Sequence, residues 1–221
     1  MGQVVSTTVA LASLTTLILL VIAAPLGWWL ARTRSAWREV VAAVTALPIV
    51  LPPTVLGFYV LVALGPDSPL MALLHPFGIR TLAFTFTGLV IGSVIYSLPF
   101  AVQPIRNAFE SVSERALEAA ATLRAGPFDR FATVALPLAR RGFVTAAVLV
   151  FAHTIGEFGV VLMIGGAIPG KTEVVSIRIF QDVEALNFAD AHRLAAGLAL
   201  SAFATLLALL LIDRRALAKW R

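Results

Sequence analysis

The chain has 221 residues, 59% of them hydrophobic and only 13% charged, with a mean hydropathy of +0.93. Soluble domains are roughly a quarter charged, so this chain lacks the polar surface to cover a core of its size, and a disordered chain would be poorer still in apolar residues. Cysteine is absent, which removes disulfides, thiolate catalysis and cysteine-based metal sites. The composition is that of an all-α integral membrane protein.

A spanning helix needs about 20 mostly apolar residues. Five runs qualify: 4–31, 40–64, 82–105, 142–165 and 194–212. They predict about five transmembrane helices in a single membrane domain, 1–221. Their apolar character is not confined to one stripe, unlike that of an amphipathic surface helix. The first run has no positive segment before it and reads as an uncleaved helix rather than a signal peptide. In the second, Pro48, Pro52 and Pro53 each remove a helical hydrogen bond, so the span must kink or break. Irregular backbone at that depth is tolerated only against protein or water, which favours a segment lining a pathway over a packing kink.

The third run leads into a long connection, 106–141. Phe109, Val112, Ala116, Ala120 and Leu123 recur at spacings of three and four, the pattern of an amphipathic helix. Ser111 and Glu114 have the form of a capping box, which predicts a helix starting near Val112 and stopping at Gly126-Pro127. A second short helix, from 127 to about 133, presents Phe128 and Phe131. Such a hairpin suits a groove on a cytosolic partner, or a surface of lipid headgroups. In the fourth run, Glu157 is the acidic side chain deep in a span, where such residues are functional candidates by default. It is expected to pair with His153, one turn earlier, or with donors on a neighbouring helix, while Gly156 and Gly159 permit close helix approach. Thr54, Ser93, Ser97, Thr145 and Thr154 are hydroxyls that can hydrogen-bond between packed helices or to a polar solute.

Charge sorts the two sides. Arg32, Arg34, Arg38, Arg106, Arg115, Arg124, Arg130, Arg140, Arg141, Arg214, Arg215, Lys219 and Arg221 share one set of connections and are 13 of the 17 basic residues. Six acidic residues accompany them, leaving that side at +7; the other side carries −1, and Glu157 holds the remaining −1. Positive loops stay in the cytoplasm, so the N-terminus is placed outside and the C-terminus inside. The basic excess is topology, not a nucleic-acid footprint.

Glu118-Ala119-Ala120, with Val134 in an aliphatic position and Leu136-Pro137 sixteen residues beyond Ala120, resembles the EAA loop of bacterial ABC importer permeases. Leu47-Pro48-Ile49-Val50-Leu51-Pro52-Pro53, Phe151-Ala152-His153-Thr154-Ile155-Gly156-Glu157-Phe158-Gly159 and Ile168-Pro169-Gly170-Lys171-Thr172 are similar to segments of the molybdate permease subunits in that family. The likeness runs in order from about residue 11 to 212. It implies a type I importer core whose coupling helix, with Glu118, Ala119, Ala120, Arg124, Gly126, Phe128, Phe131, Leu136 and Pro137, inserts into a cleft on an ATP-binding subunit. It further implies a homodimer in the bacterial inner membrane and two cytoplasmic ABC ATP-binding subunits carrying ATP and Mg. It also implies an extracytoplasmic molybdate-binding protein that delivers substrate, and no cofactor held on this chain. Pathway and gating candidates are Pro48, Pro52, Pro53, Thr54, His153, Thr154, Gly156, Glu157 and Gly159. Two positions depart from the family pattern. Arg124 stands where Gly is usual, leaving Gly126 to make the turn, and His153 stands where Arg is frequent. Tungstate, sulfate or another oxyanion remains open as substrate, as does a stand-alone channel or secondary transporter.

Residues 165–172 also fit G-x-x-x-x-G-K-[ST] letter for letter. A phosphate-binding loop needs a preceding strand and free backbone N–H groups. Here the preceding stretch belongs to a span, Pro169 removes one donor, and the charge map puts the motif outside. It reads as an extracytoplasmic turn.

Overall fold

The computed structural model describes residues 1–218, which form helices and turns only; Lys219 and Arg221 of the basic set lie outside them. α1 (Gly2–Arg32) rises about 46 Å over its length, more than the ~30 Å hydrocarbon layer, and buries Leu11, Thr15, Leu19, Ala23 and Leu30 along one face. Thr8 and Thr16 donate their hydroxyls to Val4 and Ala12 carbonyls at 2.8 and 2.7 Å, so these polar groups cost little inside the bundle. The second run breaks as expected. α2 (Arg38–Val50) contains Pro48; Leu51 and Pro52 are extended, with ψ of 137° and 135°, and α3 (Pro53–Leu64) restarts on Pro53. Proline forces its predecessor out of the helical region, and at a first helical position its missing N–H costs nothing.

α4 (Pro69–Ala72) begins where Ser68 Oγ accepts from the Met71 amide at 3.0 Å. α5 (Phe86–Glu110) begins at Thr85, whose Oγ1 accepts from Gly88 N at 3.0 Å. The long connection then holds α6 (Glu114–Thr122), α7 (Pro127–Asp129), a π-helical turn over Arg130–Ala135 and α8 (Leu136–Leu138). α9 (Arg140–Ile155) follows, bent 68° from the segment Pro127–Leu138. The fourth run is broken too, into α9 and α10 (Gly159–Gly165). α11 (Val175–Glu184) and α12 (Phe188–Ala218) complete the described chain. Among the described residues four helices are long and apolar enough to cross a membrane, and five if the bent pair is one span.

The capping-box expectation fails. Ser111 does not start a helix: it terminates α5, and its hydroxyl donates back to Ala108 O at 2.7 Å. α6 starts three residues later, because Phe109 and Val112 are buried and pin the chain against α1. The stripe is thereby split, and Leu123 at its far end is 84% exposed. α11 was not foreseen; it buries Val175, Ser176, Ile177 and Asp182 in a connection rich in polar residues.

α1, α5 and α9 share the main core, built on Leu19, Ala101, Ile105, Phe109, Ala146 and Val150. A second cluster joins α3, α4 and α10 through Leu56, Leu64, Met71, Val160 and Ile164. At the α5–α9 crossing, a side chain on Gly142 would meet Ala108 Cβ and lie 2.7 Å from Pro104 O. Gly142→Ala is expected to destabilise by about 1–3 kcal/mol. Gly197→Ala, in α12 with nothing within 4 Å, leaves stability unchanged or raises it by up to about 1 kcal/mol. Opposite movements of the thermal midpoint of the detergent-solubilised protein are the check.

Candidate functional site

The two helix breaks lie against each other. A Cβ on Gly159, the first residue of α10, would stand 2.8 Å from Pro53 Cβ, and one on Gly57 would stand 2.8 Å from Met163 Cβ. Only glycine lets α3 and α10 come this close. The backbone freed at the second break is satisfied from a distance: Ser176 on α11 donates its hydroxyl to Glu157 O at 2.5 Å. α11 is itself tied to α1, since Val175 N donates to Thr8 Oγ1 at 2.9 Å.

A cavity of about 610 Å³ opens at the breaks. Of the sequence candidates it gathers Pro53, Thr54, His153, Gly156, Glu157 and Gly159. Pro48 is buried within α2, Pro52 sits exposed in the break, and Thr154 is buried behind the wall. His153 is held tightly. Its Nδ1 lies 2.9 Å from Ser97 Oγ, its ring stacks on Phe100 with centroids 4.1 Å apart, and Tyr96 packs at 4.9 Å. Thr154 Oγ1 is 3.2 Å from the same Ser97 hydroxyl. Tyr96 and Phe100 escaped the sequence reading; their signal was two aromatics four apart on α5, flanking Ser97.

The expected Glu157–His153 pair does not form. α9 ends at Ile155, so Glu157 leaves the helical path that would have set it above His153, and Ser97 takes the imidazole instead. Glu157 is 4% exposed, and neither carboxylate oxygen accepts a hydrogen bond from the described residues. The Ser93 hydroxyl, which approaches it from α5, is also buried and unpaired.

In the long connection, Glu118, Ala119, Pro137 and Phe128 are exposed, Phe128 by 77%, while Ala120 and Leu136 are partly buried. Phe131 faces inward, its ring 5.6 Å from Trp28 and 5.8 Å from Phe109. Arg32 secures the same corner. Its guanidinium lies over Trp28 at 5.4 Å and donates to Phe109 O, in the last turn of α5, and to Val112 O, just beyond it, at 2.9 and 2.5 Å. The turn after α6 is made by Arg124 itself, at φ 62°, whereas Gly126 has φ −66°. Gly126 therefore does not replace the usual glycine; Arg124 occupies the left-handed conformation that glycine would adopt without strain.

The phosphate-loop lookalike follows a helix, not a strand. Thr172 is fully buried, donates to Gly165 O at 2.6 Å and accepts from Ile168 N at 3.2 Å, so its hydroxyl closes the turn. Beyond it, the hydrogen bond from Arg178 to Asp182, with support from Glu173, pushes the Arg178 guanidinium above its ordinary range.

An all-helical membrane chain with facing helix breaks around one cavity and a bolted-down helical hairpin at its basic end has the architecture of a permease. The chain belongs to the binding-protein-dependent transport system inner membrane component family, which residues 23–216 match. It is 61% identical over 202 residues to a molybdenum transport system permease protein of Azotobacter vinelandii, covering 91% of this chain and 89% of that one. Its counterpart in Escherichia coli K12 is 37% identical over 67% of this chain and 65% of its own length. A probable sulfate transport system permease protein of Zygnema circumcarinatum is 32% identical over 82% of this chain and 63% of its own length. In fold, the chain matches the bacterial alginate ABC transporter solved with its alginate pentasaccharide-bound periplasmic protein. The TM-score is 0.77 at 17% identity, over 97% of this chain and 78% of that one. The chain is thus a transport subunit of an ABC system, without an ATPase site of its own.

Ser97→Ala, which strips His153 and Thr154 of their shared partner, is expected to cost about 1–3 kcal/mol, read as a lower thermal midpoint. Arg124→Gly should stabilise the protein by about 1 kcal/mol by relieving the left-handed strain, whereas Arg124→Val should destabilise it in the same measurement.

Proposed function

We propose that this chain is the molybdate-conducting permease of an ATP-driven importer. The observation that carries the reading is the 61% identity to a molybdenum permease along nearly the whole chain, against 32% to a sulfate permease. The cavity chemistry supports it. Thr54 and His153 offer hydrogen-bonding groups suited to the transient holding of a tetrahedral oxyanion, and conduction requires binding weak enough for release. Glu157, without a cation beside it, does not hold the anion and belongs to the wall that opens and closes.

Two copies of the chain enclose the pathway, with the N-terminus outside and the basic hairpin in the cytoplasm. Two ATP-binding subunits receive the hairpins through Glu118, Ala119, Arg124 and Phe128, and a molybdate-binding protein docks on the outer face. ATP and Mg reside on those subunits, where hydrolysis takes place. Closure of the subunits moves the hairpins. The Trp28–Phe109–Phe131 packing and the Arg32 hydrogen bonds carry that movement to α1 and α5, whose shift reopens the cavity between the breaks.

Proteoliposomes holding the assembled transporter should take up labelled molybdate with ATP, uncompeted by excess sulfate; competition by sulfate would move the substrate assignment, and uptake without ATP-binding subunits would overturn the class. Phe128→Ala should lose co-purification of the ATP-binding subunit while keeping its thermal midpoint. Phe131→Ala should instead lower the midpoint, costing about 2 kcal/mol because the ring is only partly buried.

A further inference from the structure

Below the cavity at the breaks, a second one of about 400 Å³ lies between α2 and α5. Its wall on α5 carries Gln103, Arg106 and Asn107. The Gln103 and Asn107 amides are exposed and have no hydrogen-bond partner among the described residues. Arg106 gives only Nε to Glu110, at 2.9 Å, leaving its two terminal nitrogens free. Thr45, on the opposite wall, donates its hydroxyl to Ala42 O at 2.9 Å and shapes the space without serving as a donor into it.

Both cavities draw part of their lining from α5. Tyr96 lines the upper one, and Pro99, Gln103 and Asn107 line the lower one. These residues fall at spacings of three, seven and eleven, on one stripe of α5. Across from them, α2 supplies Thr45 and Ala46 to the lower cavity, and α3, just past the break, supplies Pro53 and Thr54 to the upper. At 1.5 Å per residue, Tyr96 and Asn107 are about 16 Å apart along the helix. The two cavities therefore lie in succession along one face of α5, the lower one nearer the basic end of the molecule.

We propose that Gln103, Arg106 and Asn107 form a second oxyanion station, which holds the tetrahedral anion after it leaves the upper cavity and before it enters the cytoplasm. Amide N–H groups and a guanidinium edge are the donors such an anion needs. The charge is moderated on the spot. Glu110 accepts from Arg106 at 2.9 Å and from Arg38 at 3.1 Å, and Glu39 pairs with Arg38 at 3.5 Å, so two carboxylates offset the two guanidiniums. Hydrogen-bond donors whose charge is offset nearby hold an anion weakly enough to release it. The Arg106–Glu110–Arg38 arrangement thus serves release as well as stability.

This rests on the oxyanion-import reading, and the test separates the two. The chain has no cysteine, so Ala46→Cys, in the wall opposite the three donors, places a single thiol on this subunit. In the assembled, nucleotide-free transporter in phosphatidylcholine nanodiscs, millimolar molybdate should slow maleimide labelling of that thiol at least threefold. Chloride at equal ionic strength should not, and Val44→Cys, on the exposed side of α2, should label at one rate throughout. In proteoliposomes, the double variant Gln103→Leu/Asn107→Leu should transport at least fivefold less molybdate per ATP hydrolysed. Unslowed labelling of Ala46→Cys overturns the station. So does protection that follows added anionic lipid rather than molybdate, or uptake by the double variant within twofold of wild type. Failure of the unaltered transporter to take up molybdate overturns the import reading instead.

Discussion

Inside a bilayer every backbone N–H and C=O must find its partner within the protein, and the architecture follows from how this chain meets that demand where its helices stop. Two apolar runs are interrupted, at Leu51–Pro52 and at residues 156–158. Unpaired backbone in lipid would be prohibitive, so the breaks are turned towards each other, glycine against proline. The carbonyl of Glu157 is taken by Ser176 from nineteen residues downstream. α11 is folded back into the bundle for that purpose, and Thr8 fixes its first turn. The cavity is the space that these requirements leave open.

The opposite end obeys the same rule by other means. Where α5 ends and the chain turns, a guanidinium from α1 donates to the Phe109 and Val112 carbonyls. Because Arg32 also lies over Trp28, which packs on Phe131, the end of one helix, the end of another and the hairpin are joined in one corner. The outward-facing part of the hairpin carries almost no such ties; Phe128 is left to solvent or to a neighbour. Rigid attachment behind a free apolar tip is what a lever requires.

Hydropathy and proline position made the runs and the first break legible, since the loss of a proline N–H is a local property. The second break was legible only as two glycines that allow close approach. That blurred Glu157: an i,i+4 pairing with His153 presumes a continuous helix, and the helix ends between them. The turn at Arg124 was misassigned for a related reason. A glycine two residues away looked the better turn former, but the burial of Phe109, Val112 and Phe131 sets where the chain must reverse, and Arg124 accepts the strain. α11 was hidden because its inward face includes Ser176 and Asp182, which hydropathy scores as surface. Capping-box letters at Ser111 and Glu114, and phosphate-loop letters at 165–172, matched patterns whose surrounding structure differs.

α12 stands apart. It is among the most apolar of the helices, yet almost none of its hydrophobic stretch is buried by the rest of the chain. In water such a helix would have nothing to hold it in shape, since helical stability there comes mainly from packing. In lipid, internal hydrogen bonding alone is enough. α12 can therefore reach its secondary structure on insertion, before any tertiary contact is made. For this segment membrane insertion and folding are a single event, and joining the bundle is a separate, later one.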